Sequence, residues 1–129
     1  KKLGGKACIF NRTVANAKAI ADKYGFAFSQ LGPDCLYDLD YYSDIIIQTT
    51  SVGSGSVGPS SEKNDPLYFY NFKGTESLYD IVYTPEVTPI MTRAMAAGCK
   101  VSNGYSMLRY QGYKQFKLFT GVDYGNDTE

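Results

Sequence analysis

The chain predicts an α/β fold, a parallel sheet flanked by helices. Three features of its 129 residues carry that prediction. Short apolar runs alternate with segments of helical periodicity, the pattern of βαβ units joined by right-handed crossovers. Thr88-Pro89 and Gly98 bracket one such segment as N-cap, first-turn proline and stop. The Ile45-Ile46-Ile47 run reads as a strand covered on both faces, as strands of parallel sheets are.

The elements follow in order. Lys6-Ala7-Cys8-Ile9-Phe10, bounded by Gly5 and Asn11, is a short apolar run and reads as a strand. Thr13 is a suitable N-cap for the helix after it. Val14, Ala17, Ile20, Ala21 and Tyr24 recur at helical spacing until Gly25 ends the pattern. A short strand is expected near Phe26-Ala27-Phe28, then an acidic, tyrosine-rich connection, then the strand from Asp44 to Thr49. Residues 53–66 are rich in Gly, Ser and Pro without periodicity, which predicts a mobile surface loop. Leu78 to Tyr83 reads as another strand. Ile90, Met91, Ala94, Met95 and Ala97 form the apolar face of the next helix, and Lys100-Val101-Ser102 is a brief strand. A last helix from about Ser106 to Thr120 carries Leu108, Gly112, Phe116 and Phe119 on one stripe. Residues 1–121 are therefore expected to form the folded unit, and 122–129 a polar, frayed tail.

Composition narrows the chemistry. At 43% hydrophobic and 20% charged, the chain is an ordinary globular sequence with room for one core. Thirteen Lys+Arg balance thirteen Asp+Glu, so nothing global points to nucleic acid or an anionic membrane. The absence of histidine excludes Ser-His-Asp and Cys-His catalysis, an imidazole base and any His-containing metal site within these residues. Cys8, Cys35 and Cys99 are odd in number and widely spaced, which fits neither a Cys-x-x-Cys pair nor a disulfide framework. With no apolar stretch of about 20 residues and no signal peptide, a cytoplasmic setting is expected. Charge is uneven along the chain: residues 1–30 are basic and 31–90 acidic, so an anionic ligand would be favoured by the first third.

Parallel sheets bind ligands outside the carboxyl ends of their strands, which directs attention to Asn11-Arg12-Thr13, Thr49-Thr50-Ser51 and Tyr83. Gly53-Ser54-Gly55-Ser56-Val57-Gly58 matches the Gly-x-Gly-x-x-Gly dinucleotide fingerprint, but no helical periodicity follows it. The fingerprint works by aiming a helix N-terminus at a pyrophosphate, so this match is a decoy. Asn11-Arg12-Thr13 is better placed. Where an NAD-binding unit ends its second strand in an acid that bonds the ribose hydroxyls, this chain has Asn and Arg. A guanidinium there pairs with a 2′-phosphate that an acid would repel, and Thr13 can cap the helix and donate its hydroxyl to the same phosphate. A capped helix with a surface arginine is the alternative.

Four blocks occur in a fixed order: Asn11-Arg12-Thr13, Asp44 to Gly53, Tyr79 to Pro85, and Asn103 to Gly112. Together with Phe116 to Gly121 they resemble the NADP-binding domain of the shikimate dehydrogenase family, over nearly the whole chain. The Leu118-Phe119-Thr120-Gly121 ending looks like the form fused behind a dehydroquinate dehydratase domain. The resemblance implies a Rossmann-like sheet without its first strand and glycine-rich loop, and reversible hydride transfer between shikimate and 3-dehydroshikimate with NADP as cofactor. It assigns Asn11, Arg12 and Thr13 to the adenosine 2′-phosphate. Thr49, Thr50, Ser51 and Val52 would pass beneath the cofactor, and Ile81 and Gly104 would flank the nicotinamide. Tyr83 and Gln111 would face the substrate. A Lys-Asp catalytic pair is implied in an amino-terminal substrate domain, of which Lys1 to Gly5, resembling the tail of the first Rossmann helix, would lie just beyond. Two departures stand out: Asn16 replaces the family's next cation, with Lys18 a candidate substitute, and extra Gly and Ser follow Val52. An NAD-dependent quinate/shikimate dehydrogenase and a non-catalytic ligand-sensing domain of a regulator are the alternative readings.

Overall fold

A computed structural model of the chain describes residues 2–125. Its order is β1 (Cys8–Asn11), α1 (Val14–Tyr24), β2 (Ala27–Gln30), a 3₁₀ turn (Pro33–Cys35), α2 (Leu36–Tyr41), β3 (Ile45–Gln48), β4 (Ser77–Asp80), α3 (Pro89–Ala96), β5 (Lys100–Ser102) and α4 (Tyr105–Thr120). All strand pairing is parallel, as the alternation of strand and helix predicts. The strands form two sheets, β1-β2 and β3-β4-β5, rather than a continuous one. Consequently β1 and β3 each have an edge without a strand partner among the described residues. Packing joins the two parts: Phe10 of β1 and Leu31 after β2 lie against the core that contains Cys35, Leu39, Ile46, Leu78, Ile90, Met91 and Ala94.

Several expectations are corrected. Ile46 is buried, but Ile45 and Ile47 are 66% and 61% exposed, so β3 is covered on one face only. A strand alternates its side chains between faces, and the core lies beneath just one of them. In α1 only Ala17 and Ala21 are buried, while Val14, Ile20 and Tyr24 are exposed. The small alanines let the helix lie close to β1 and β2, so the face in contact is narrower than the apolar periodicity suggests. Helix α4 buries none of its residues, and Leu108, Phe116 and Phe119 of the expected stripe are exposed. Residues 2 and 3 form a turn rather than a helical tail, with Gly4 beyond them at φ +78°; Lys1 lies outside the described residues.

The loop of residues 53–66 is anchored, not merely a mobile surface segment. Asp65 is fully buried and its Oδ2 accepts from Arg93 Nη1 of α3 at 2.6 Å. The same guanidinium donates to the Leu67 and Tyr70 carbonyls and lies over the Phe72 ring. The tail after Gly121 is exposed, with contacts from Asp123 and Tyr124 back to α4. Tyr124 stacks on Tyr113 at 5.0 Å and meets Phe116 edge-on, while Lys117 pairs with Asp123. Residues 126–129 lie outside the described residues.

Glu76, just before β4, is a second buried anchor. Its carboxylate accepts from Tyr70 Oη at 2.6 Å and from the backbone N–H groups of Lys73, Gly74 and Thr75. Burial pushes this carboxyl up, but the donors outweigh it and hold the pKa down at about 2. A depressed acid stabilises the fold above its ordinary value and ceases to do so as pH falls through the folded value. In the full natural protein, Tm should therefore drop as pH falls from about 4.5 towards 2. Glu76→Gln should flatten that part of the profile and lower neutral-pH stability by about 1–3 kcal/mol. An unchanged acid limb in the variant would contradict this.

Candidate functional site

The expected site residues lie at or after the ends of β1, β3 and β4 and at the start and in the first half of α4. Strand β1 ends in Asn11, whose Oδ1 accepts the Thr13 N–H at 2.8 Å. This turn projects Arg12 outward as α1 begins. The Arg12 carbonyl accepts from Gln30 Nε2 of β2, whereas the guanidinium is exposed and makes no hydrogen bond or ion pair among the described residues. Thr13 occupies the N-cap position, but its hydroxyl makes no capping bond, contrary to its expected role in closing the helix. Asn11 orders the turn through the Thr13 N–H, and the Thr13 hydroxyl makes no cap bond. An unpaired guanidinium, a hydroxyl and a helix N-terminus together suit a phosphate monoester. Lys18, the candidate second cation, is engaged elsewhere. It pairs with Asp22 at 2.6 Å, one turn further along α1, and lies 5.8 Å from the Phe28 ring centroid.

Strand β3 leads into Thr49-Thr50-Ser51-Val52, and its last residue organises them. Gln48 Oε1 accepts both the N–H and the hydroxyl of Thr50, and Nε2 donates to the Val52 carbonyl. Thr50 Oγ1 in turn accepts the Val52 N–H. The Gly-Ser segment follows as turns with Gly53, Gly55 and Gly58 at positive φ, and no helix succeeds it before α3. It has none of the geometry of a pyrophosphate-binding turn.

Strand β4 stops at Asp80, three residues short of the expected Tyr83. Asp80 Oδ1 accepts the Val82 N–H at 2.9 Å, which turns the chain out of the sheet and leaves Tyr83 half exposed. Gly104 is buried against this bend. Its N–H donates to the Val82 carbonyl, and a Cβ on it would collide with the Ile81 carbonyl oxygen. The bare backbone is therefore demanded by Ile81, whatever else approaches it. Gln111 sits on α4 in a cleft of about 720 Å³ together with Tyr79, Met107, Tyr110, Lys114 and Leu118. Tyr83 does not line that cleft, so the two expected substrate residues are not brought together within it.

Sequence reasoning missed Gln48, Asp80 and Thr88 as organisers of the site. Gln48 and Asp80 face one another in register, both buried, and Thr88 Oγ1 donates to Asp80 Oδ2 at 2.8 Å. Gln48 and Asp80 show in the sequence only as polar residues within apolar runs, and Thr88 only as a helix N-cap. Cys35 and Cys99 are buried and Cys8 is half-buried. Burial, followed by the charges of Asp38 and Cys35, pushes the Cys8 thiol up to about 11, and burial also raises Cys99. Among the described residues no group of three His, Cys, Asp or Glu could hold a metal ion, and no helix is long and apolar enough to cross a membrane.

The chain is similar to part of a shikimate dehydrogenase, as its ordered blocks imply. It is 37% identical over 114 residues to a shikimate dehydrogenase (NADP(+)) of an Exiguobacterium species, covering 88% of this chain and 40% of that protein. The shikimate dehydrogenase (NADP(+)) of Bartonella henselae is 34% identical over 120 residues, with 91% and 40% covered. The fold agrees as well. A crystal structure of a shikimate dehydrogenase in complex with NADP+ superposes with a TM-score of 0.69 at 34% identity, over 92% of this chain and 42% of that one. A Thermus thermophilus shikimate 5-dehydrogenase in complex with NADP(H) and shikimate gives 0.72 at 27% identity, over 95% and 42%. The chain thus spans about 40% of the length of the curated relatives it matches. No protein-family model matches it.

The contact between Gly104 and Ile81 has a direct consequence. Gly104→Ala in the full natural protein should lower stability by about 1–3 kcal/mol, because a methyl group must displace backbone. Urea unfolding of the two proteins measures this, and equal midpoints and slopes would show that the approach is not that close.

Proposed function

We propose that the chain is the cofactor-binding part of an NADP-dependent shikimate dehydrogenase, acting within a longer protein in the cytoplasm. The observation that carries this reading is the unpaired Arg12 guanidinium beside the free Thr13 hydroxyl at the N-terminus of α1. The similarity to relatives named for NADP(+) supports it.

In this reading Asn11 shapes the turn, and Arg12 and Thr13 hold the adenosine 2′-phosphate. Thr49, Thr50, Ser51 and Val52 support the middle of the dinucleotide. Ile81 and Gly104 border the nicotinamide, and Tyr83 and Gln111 meet the polar groups of the substrate. These residues would hold NADP+, which would supply a hydride acceptor for the carbinol carbon of shikimate as the hydroxyl loses its proton and the ketone forms. None of the assigned side chains is a strong base, and the resemblance to the shikimate dehydrogenase family would give the proton to the lysine of a Lys-Asp pair in an amino-terminal substrate domain. The protein's own contribution here is orientation and charge complementarity.

Two further features support a larger whole. The unpaired edges of β1 and β3 fit a parallel strand between them, which would give one sheet of order β2-β1-strand-β3-β4-β5. The exposed Ile45, Ile47, Leu118 and Phe119 offer apolar surface for elements outside these residues. One observation favours the NAD-dependent alternative. With Asn16 uncharged and Lys18 paired to Asp22, Arg12 supplies the only cation assigned to the phosphate.

Cofactor titrations of the full natural protein test the assignment. Arg12→Asp should weaken NADP+ by about 10–100-fold, the scale of one lost charge-assisted pair, while NAD+ changes by less than about 3-fold. Equal losses for both cofactors would remove Arg12 from the phosphate site, and tighter binding of NAD+ by the unaltered protein would establish the alternative.

A further inference from the structure

We infer that Gln48 and Asp80 are a positioning pair that locks the loop after β3 to the loop after β4, and so sets the dinucleotide-supporting residues 49–52 against Ile81 and the substrate-side Tyr83. The inference rests on the functional reading above. The two residues are register partners at the carboxyl ends of adjacent parallel strands, and they are 5% and 0% exposed. Gln48 Nε2 donates to Asp80 Oδ1 at 3.1 Å. From that bond the contacts diverge. On one side the Gln48 carboxamide holds Thr50 and Val52; on the other the Asp80 carboxylate holds Val82 and Thr88.

Every polar atom of the pair is thereby used, and no buried side-chain polar atom among the described residues lacks a partner. A shift of either loop would break a bond to a buried group, which costs more than an exposed bond is worth. Two backbone bonds reinforce the link: Ile81 N donates to the Gln48 carbonyl and Gly55 N to the Thr84 carbonyl. Both side chains are buried and spend their polar atoms on the protein, so neither is assigned a contact with the reactants. The pair acts through Thr50, Val52 and Val82.

The test uses the full natural protein. Gln48→Glu keeps the shape but replaces the Nε2 donor with an oxygen facing the Asp80 carboxylate. kcat for shikimate oxidation should fall about 10–100-fold, as small misplacements at reacting centres do, while KM for shikimate and NADP+ changes less than about 3-fold. The primary deuterium isotope effect from shikimate labelled at the reacting carbon should rise as hydride transfer becomes limiting. Asp80→Asn should keep most of the kcat that Gln48→Glu loses, since its carbonyl oxygen can face Gln48 and Val82 and its amide can donate to the Thr88 hydroxyl. Thr50→Val removes only the hydroxyl bonded to Gln48. It should show the same split at about 3–10-fold, and it covers the case in which Gln48→Glu does not fold. An unchanged kcat, a rise in KM alone, or an unchanged isotope effect in the folded variants would overturn the inference. If the unaltered protein shows no shikimate-dependent turnover, the functional reading fails separately. Amide exchange then decides the coupling: joint acceleration at Thr50 and Val82 in the variants supports it, and unchanged exchange overturns it.

Discussion

A fully buried carboxylate at the end of β4 constrains everything at the ligand edge of this fold. Asp80 has no water to solvate it, and burial pushes its carboxyl up against the opposing pull of Val82, Thr88 and Gln48. Those three donors come from the next loop, the N-terminus of α3 and the end of β3. Satisfying one side chain therefore fixes three segments. The place where β4 stops, the exposure of Tyr83 and the course of residues 49–52 all follow from that requirement.

The same logic recurs away from the ligand edge. Asp65 with Arg93 ties the glycine-rich loop to α3, and Glu76 gathers Tyr70 and three successive N–H groups ahead of β4. Apolar packing sits between these anchors, against one face of β3-β4-β5. The other face is bare at Ile45 and Ile47, and α4 stands with all its residues at least partly exposed. A β3 side chain triplet of this hydrophobicity gains by burial on the order of 2 kcal/mol per residue, so leaving two of the three in water is costly unless further protein covers them. That balance agrees with a chain matching about 40% of its relatives' length.

Strand and helix order was legible in the sequence because alternation of apolar runs with capped, periodic segments leaves few topologies open. The 3₁₀ turn and α2 were not legible: α2 spans six residues and buries only Leu39, too little for a period to show. Which faces of α1, β3 and α4 are covered was hidden for a different reason. Periodicity reports what a helix or strand could bury, whereas exposure depends on what is packed against it. At the site, Asn11 to Thr13 and residues 49–52 lie at or just after the ends of β1 and β3, whereas Tyr83 lies three residues beyond β4 and Gln111 on α4, and the groups that hold these segments do not announce themselves. Gln48 and Asp80 are separated by 32 positions in the chain and meet only through strand register. Gly104 illustrates the same gap. A glycine invites the explanation of a close ligand, but here the carbonyl of Ile81 is already enough to require it.

The most direct test of the account is reduction of NADP+ by the full natural protein in the presence of shikimate, followed by the absorbance of the reduced nicotinamide, with NAD+ and quinate as controls. The account predicts turnover that needs shikimate and prefers NADP+. Binding of cofactor or shikimate without any turnover would contradict it, and would show a fold that has kept its binding groups while the hydride chemistry is gone.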